Sequence, residues 1–327
     1  MPKSFLYPID KLDPDNNWHK PEGMGFCTNL VPIAGIYHPG PYVQKVANLM
    51  VGATPVDGAI VGAHFHWKIL LFAVSGGADS GYKIYGIPYG SGSGTCTDVT
   101  PASGWSEGGG NEAITTAWGV QFCTFGNNVY ATNGISNMIV EDFPFDTFSV
   151  GGKQFAAITP AGSGANPVGK TIESHKGHLI AGNIYMASGW NSIGSGTHES
   201  LVWWSAFDQA ETFGSFLDTP QYKGTGYKYL YDTSGPIVKI LSAGDIIYVF
   251  KENSIYVGEG PPFTFTLFSK EVGCPYPNST LFLDHVVYFM SNHGPTAILP
   301  DGTLKFLGDG KVMKTLIGTS STFGSGS

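Results

Sequence analysis

The chain has 327 residues, a formal net charge of −8, 13% charged and 13% aromatic residues, and 46 glycines. Charge at roughly half the usual share of about 25%, with abundant Gly and aromatics, argues for strands and tight turns and against helical bundles or disorder. Net acidity with no Lys/Arg stripe argues against a protein that holds nucleic acid through its phosphates.

The length allows one large all-β domain or two ordinary ones. Sparse surface charge points to an outside that is largely covered, as in an array or an oligomer; a sticky monomer is the plainer alternative. Cys27, Cys96, Cys123 and Cys274 are scattered without a CxxC pair. They read first as small buried hydrophobes, with disulfides as the second reading. MPKSFLYPIDK has no apolar h-region, so no signal peptide is expected. No apolar run approaches the roughly 18 residues of a membrane helix, so no membrane insertion is expected.

Residues 1–41 contain Pro2, Pro8, Pro14, Pro21, Pro32, Pro39 and Pro41. That density forbids a long helix or a central strand and predicts an extended arm, free to wrap its own domain or a neighbour. Strand pairs then begin. Trp67–Val74 and Tyr82–Ile87 flank a Gly-rich turn; Ala117–Phe125 and Val129–Thr132 flank Gly126-Asn127-Asn128. His178–Ala181 and Ile184–Ala187 are predicted to flank a turn at Gly182-Asn183, with Leu201–Ala206 closing that unit. One short helical turn is predicted at Gln209–Phe213 behind Asp208 as N-cap. Ile237–Leu241 and Ile246–Phe250 come next, then Ile255–Val257, Phe263–Phe268, Thr280–Leu283, Val286–Met290 and Thr296–Pro300. Asp301-Gly302 is a type I′ turn candidate before Leu304–Leu307. The polar stretches 90–110 and 161–169 read as surface loops. Short strands at a coarse period of roughly 45–60 residues predict a β-propeller-like domain of five or six blades over 42–316, with a flexible tail at 317–327.

Several motifs bear on chemistry. Gly164 to Thr171 matches the phosphate-binding pattern GxxxxGK[ST]. The segment after it is broken by Gly177 and reads as strand, and Pro167 lacks an amide, so chance explains the match. Asp13 to Met24 begins like a calcium loop, with Trp18 where Gly is needed and Met24 where Glu belongs. His64 and His66 share one face of a strand; a polar rim is favoured over a metal pair without a third ligand. His175 and His178 sit at a hairpin. Trp203 and Trp204 read as packing, with sugar stacking the minority reading. Asn278-Ser-Thr280 is a formal sequon. No catalytic, cofactor-binding or metal residues are assigned: no acid pair can be nominated and no nucleophile motif occurs.

A resemblance emerges from short segments in order. Phe26-Cys27-Thr28-Asn29-Leu30-Val31-Pro32 resembles the C-x-N-L-x-P entry of the tail-nozzle, or packaged-DNA stabilisation, family of short-tailed phages. Gln121-Phe122 through Tyr130-Ala131-Thr132-Asn133-Gly134 resembles its hairpin ending in N-G. Pro167 to Lys170 with His178 to Asn183 is similar to its next blade. Val202-Trp203-Trp204-Ser205 through Thr212-Phe213 looks like its W-S step, with Phe213 where the pattern prefers Trp. Lys251 through Tyr256, Phe263 to Phe265 and Gly273, then Val287 to Ser291 and Gly294, resemble its last units. The matches run from about residue 26 to 310. The resemblance implies a structural virion protein without enzymatic activity or cofactor. It would form a six-fold ring below the portal and adaptor, with tail fibre, spike or plug proteins as further partners. Genomic DNA would pass through the lumen without sequence recognition, and like charge would keep it off the wall. The arm 1–41 and the loop 90–110 are then expected to make intersubunit contacts. The competing expectation is a carbohydrate-binding or carbohydrate-active propeller.

Overall fold

The computed structural model describes residues 30–33, 36–39, 50–51, 54–56, 58–75, 82–88, 95–102, 105, 119–136, 138–144, 150–158, 168–186, 193–213 and 224–307. The chain divides into two compact units, one formed by Met1–Val46 with Phe306–Ser327 and one by Ala47–Lys305. In the first, β1 (Leu30–Ile33) and β2 (Ile36–Pro39) pair antiparallel, Leu30 with Pro39 and Ile33 with Ile36. A two-stranded ribbon has only edges, so Pro32 and Pro39 need not break a ladder. The rest of the predicted arm, the calcium-like segment and Cys27 lie outside the described residues, as does the predicted tail.

The larger unit opens with a small pair, β3 (Met50–Val51) and β4 (Thr54–Pro55). Five antiparallel sheets come after it, four of four strands and one of five. Blade 1 is β5 (Ala59–His66), β6 (Ile69–Ser75), β7 (Tyr82–Pro88) and β8 (Thr97–Asp98). Blade 2 is β9 (Gln121–Phe125), β10 (Asn128–Thr132), β11 (Ile139–Asp142) and β12 (Ala156–Ala157). Blade 3 is β13 (Val168–His175), β14 (His178–Met186), β15 (Gly196–Ala206) and β16 (Gln209–Phe213), with β17 (Gly226–Tyr229) added on β15. Blade 4 is β18 (Ile237–Ala243), β19 (Ile246–Lys251), β20 (Ile255–Glu259) and β21 (Thr264–Ser269). Blade 5 is β22 (Leu281–Leu283), β23 (Val286–Ser291), β24 (Gly294–Ile298) and β25 (Leu304–Phe306), preceded by a 3-10 turn at Pro277–Ser279. The protein is all-β, a five-bladed propeller.

Period-2 geometry explains the composition of the middle strands. A blade flanked on both sides must be apolar on both faces, so its strands read as continuous hydrophobic runs rather than alternating ones. In β15, Leu201 and Trp203 pack toward blade 2 while Val202 and Trp204 pack toward blade 4. In β19, Ile247 and Val249 face blade 3 while Tyr248 and Phe250 face blade 5. Trp203 is fully buried and meets Phe213 and Tyr227 edge-on. Its burial is worth about 4–6 kcal/mol as an upper figure. Apolar clusters thus join blades 1 and 2, 2 and 3, 3 and 4, and 4 and 5.

Four expectations are corrected. Gly182-Asn183 is not a hairpin: β14 continues through it with a bulge against β15, and the turn is Lys176-Gly177. Asn183 takes φ 54° and donates from Nδ2 to the Ile237 carbonyl at 3.0 Å. Gly182 packs under Ile240, so this kink docks blade 3 onto blade 4. Gln209–Phe213 is a strand, because Phe207-Asp208 forms the turn, with Asp208 at φ 56° and its amide donating to Gly177 O at 2.7 Å. The stretch 90–110 is not purely loop: it carries β8 and the buried Val99 and Trp105. Asp301-Gly302 is not type I′: Gly302 alone takes a positive φ, and the Asp301 carboxylate accepts from Thr303 N at 2.9 Å.

Candidate functional site

The first strands of the blades come together at the centre of the ring. A cavity of about 400 Å³ opens there, lined by Ile60–Ala63 of β5, Val120–Phe122 at β9, Lys239 of β18, and Pro277, Asn278 and Thr280 ahead of β22. Blades 1 and 2 approach closely at its wall. A Cβ on Gly62 would stand 2.2 Å from Val120 O, and Val120 N donates to Val61 O at 3.0 Å. Only glycine leaves room for that backbone contact.

Among the described residues Lys239 is the only formally charged one lining the cavity. Its ammonium donates to Gln121 Oε1, and Gln121 Nε2 donates to Asn278 Oδ1 at 2.9 Å. This chain of three side chains links blades 4, 2 and 5. Burial pushes the Lys239 ammonium below its ordinary pKa, and Glu173 on neighbouring β13 opposes that. Burial pushes Glu173 up, against Lys239 and against the Ser174 amide, which donates to Glu173 Oε1 at 3.1 Å. The Thr280 hydroxyl is buried at the cavity wall without a hydrogen-bond partner among the described residues.

His64 and His66 lie beside this centre on the same face of β5, as their spacing predicts. Both meet Thr124 Oγ1 on β9, at 2.8 Å from His64 Nε2 and 2.9 Å from His66 Nδ1. His66 Nε2 stands 2.9 Å from Phe143 O. A carbonyl only accepts, so His66 Nε2 carries the proton and Nδ1 accepts from the Thr124 hydroxyl. Thr124 in turn accepts from His64 Nε2–H. The relay ties blade 1 to blade 2 and runs one way when both rings are neutral. Burial first, then nearby His66 and Lys239, lowers the His64 pKa to about 4. Burial also lowers His66, opposed by its bond to Phe143 O. Among the described residues no group of three or more His, Cys, Asp or Glu is placed to hold a metal ion.

The other sequence candidates are structural. Val168–Thr171 of the phosphate-binding pattern lies on strand β13, without the helix that motif requires; its earlier residues lie outside the described set. His175 and His178 face each other across the β13–β14 turn, bonding Ser242 Oγ and Ser205 O, each at 2.7 Å. Trp203 and Trp204 are buried and present no face to a sugar. Cys96, Cys123 and Cys274 are buried and free, and burial raises all three thiols. Sequence reasoning passes over Lys239, and meets Gln121 and Asn278 only in unrelated motifs. Each is an ordinary polar residue in its own segment, and only the ring brings them together. Nor does the sequence show that Lys251 is a fully buried lysine, whose ammonium donates to Ser200 Oγ (3.1 Å), Leu230 O (2.9 Å) and Thr233 O (2.6 Å).

A second feature is the seam between the first and last blades. Among the described residues no buried apolar cluster joins blade 5 to blade 1. The blade 1 face turned away from blade 2 exposes Ile60 (60%) and Phe65 (55%) beside the buried Phe72 and Val74. The blade 5 face turned away from blade 4 exposes Leu281 (53%) and Leu283 (52%).

No protein-family model matches the chain, and no curated protein does. Solved structures similar to it include the extracellular domain of the one-component system BT4673 from B. thetaiotaomicron (12% identity, TM-score 0.40, 80% of this chain and 29% of that one). AztD from Citrobacter koseri is 10% identical at a TM-score of 0.37, over 75% of this chain and 58% of that one. PorZ, a surface component of the type-IX secretion system of Porphyromonas gingivalis, is 12% identical at 0.36, over 85% and 44%. The chain spans less than two thirds of each of these proteins. Similarity at this level carries no functional argument.

Proposed function

We propose that this chain is a structural component of a short-tailed phage tail, a nozzle subunit that assembles as a ring below the portal and adaptor and lets packaged DNA pass. The observation that carries the reading is the order of the resembling segments. They fall in order on blades 2 to 5: the β9–β10 hairpin, the β13–β14 pair and the β15–β16 step of one blade, the β19–β20 hairpin and β23. The role is mechanical, with each propeller serving as a rigid block. The apolar faces of blades 1 and 5 support it, since patches of this kind on a charge-poor protein mark assembly surfaces. The test is quantitative mass spectrometry of purified particles with the portal protein as internal standard. A copy number about half that of the portal is expected for a six-fold ring on a twelve-fold portal; absence from particles overturns the reading.

One observation favours a carbohydrate-binding propeller as the second reading. Tyr231 is 72% exposed and stacks on Tyr229, with ring centroids 4.7 Å apart and planes 10° apart. Such a platform suits the face of a sugar ring. Clear glycan-array hits that vanish in Tyr231→Ala would favour it; an empty array would remove it.

A further inference from the structure

We infer that the central cavity is a binding site for a small oxyanion, a phosphate or carboxylate group seated against Lys239. Three observations carry the inference, and none depends on the tail-nozzle reading.

The first is an ammonium left short of partners. Lys239 has three N–H donors, and its hydrogen bond among the described residues goes to a neutral amide oxygen, Gln121 Oε1. It forms no ion pair with another described residue, unlike Lys153 with Glu141 and Lys176 with Asp245. Glu173 on β13 is its acidic neighbour and offsets part of its charge, without an ion-pair contact between them. Lys251 shows what this fold does with a lysine that serves only structure: it surrounds the ammonium with three oxygen acceptors. Lys239 is not treated that way.

The second is room beside it. The cavity of about 400 Å³ is far larger than the roughly 30 Å³ of one water, so it holds a polyatomic anion with its hydration. The third is Thr280, a residue of the cavity wall whose hydroxyl is buried without a partner among the described residues and can donate once its side chain turns toward a bound oxygen. A buried hydroxyl without a partner is destabilising, and a bound oxygen would satisfy it. Lys239 from blade 4 and Thr280 from the approach to blade 5 therefore face one space, and Asn278 lines it as well. Glu173 is the carboxylate near the ammonium and the charge a bound anion competes with.

The same side chains could simply stitch blades 2, 4 and 5 together. The two roles separate in solution. The full chain is titrated by calorimetry with inorganic phosphate, and separately with citrate, against sodium chloride at matched ionic strength. The expected result is saturable one-to-one binding of at least one of them; which one binds decides between phosphate and carboxylate. Lys239→Met should weaken that binding at least about tenfold, as loss of a charged hydrogen bond does. Thr280→Val, at the cavity wall, should weaken it about threefold at the lower end of a neutral hydrogen bond, with the melting temperature unchanged within a few degrees. Should Lys239→Met fail to fold, the pair Asn278→Ala and Thr280→Val decides. No saturable heat with either anion in the parent protein overturns the inference, as does equal affinity in folded variants.

Discussion

Acidification should loosen the joint between blades 1 and 2 through His64. In the folded protein His64 resists protonation down to about pH 4, because it is buried beside His66 and Lys239. In the unfolded chain it takes its proton near 6.5. The unfolded state therefore binds the proton first. The contribution of His64 is intact above pH 6.5 and is lost as pH falls from there toward 4. Across the whole interval the shift corresponds to about 3.4 kcal/mol at 1.36 kcal/mol per unit, and at pH 4.5 to about 2.7. His64 keeps part of its surface in water, so about half of this, roughly 1.4 kcal/mol, is expected at pH 4.5. His66, also lowered, loses stability in the same direction. Protonation of its Nδ1 would also reverse the bond it accepts from Thr124. The assay is urea unfolding followed by tryptophan fluorescence at pH 7.5, 6.0 and 4.5. His64→Gln keeps a donor toward Thr124 and removes the titration, so groups titrating alike in both proteins cancel. The stability gap between parent and variant should move by about 1.4 kcal/mol in the variant's favour between pH 7.5 and 4.5. A gap constant within about 0.5 kcal/mol would refute the reasoning.

Further outcomes rest on single contacts. Lys251→Met strands two buried carbonyls and a hydroxyl and should cost about 3 kcal/mol or more in denaturant unfolding; a change within about 0.5 would show that the ammonium is dispensable. Gly62→Ala pushes a methyl into Val120 O and should cost well beyond the roughly 1 kcal/mol of an ordinary backbone substitution, read as a drop in melting temperature; a neutral result would mean the two backbones can separate freely. On the proposed tail role, Leu281→Asp with Leu283→Asp should leave monomer stability within about 0.5 kcal/mol and abolish ring assembly in light scattering. Unchanged assembly would remove the blade 5 face from the interface. Cys123 should resist iodoacetamide in the native protein and react fully in urea; rapid native labelling would contradict its burial.

Some features can be read along the chain and others cannot. The Gly126-Asn127 hairpin is legible because the turn residues and the flanking strands lie within one window. Gly182-Asn183 carries the same local sign and means something else. There the unusual backbone is held by Ile237 O and Ile240, more than fifty residues away, and the chain kinks within a strand. Gln209–Phe213 reads as helical because Asp208 suits an N-cap. The same aspartate suits a turn with positive φ, and burial of Ala210, Thr212 and Phe213 against blade 3 decides for strand. The cavity leaves no trace in sequence: Lys239 is one polar residue within an apolar strand, and its partner Gln121 is 118 positions away.

By itself the sequence determined the class of the fold. Low charge, glycine punctuation and runs such as Leu201–Trp204 require strands covered on both faces, since the two faces of a strand are fixed by its period of two. Tertiary structure alone decided that the blades number five, which turns are bulges, and where Lys239 comes to face Thr280. Those outcomes depend on contacts between strands far apart in the chain, and such contacts are formed when neighbouring blades pack together rather than by any local preference of the residues that make them.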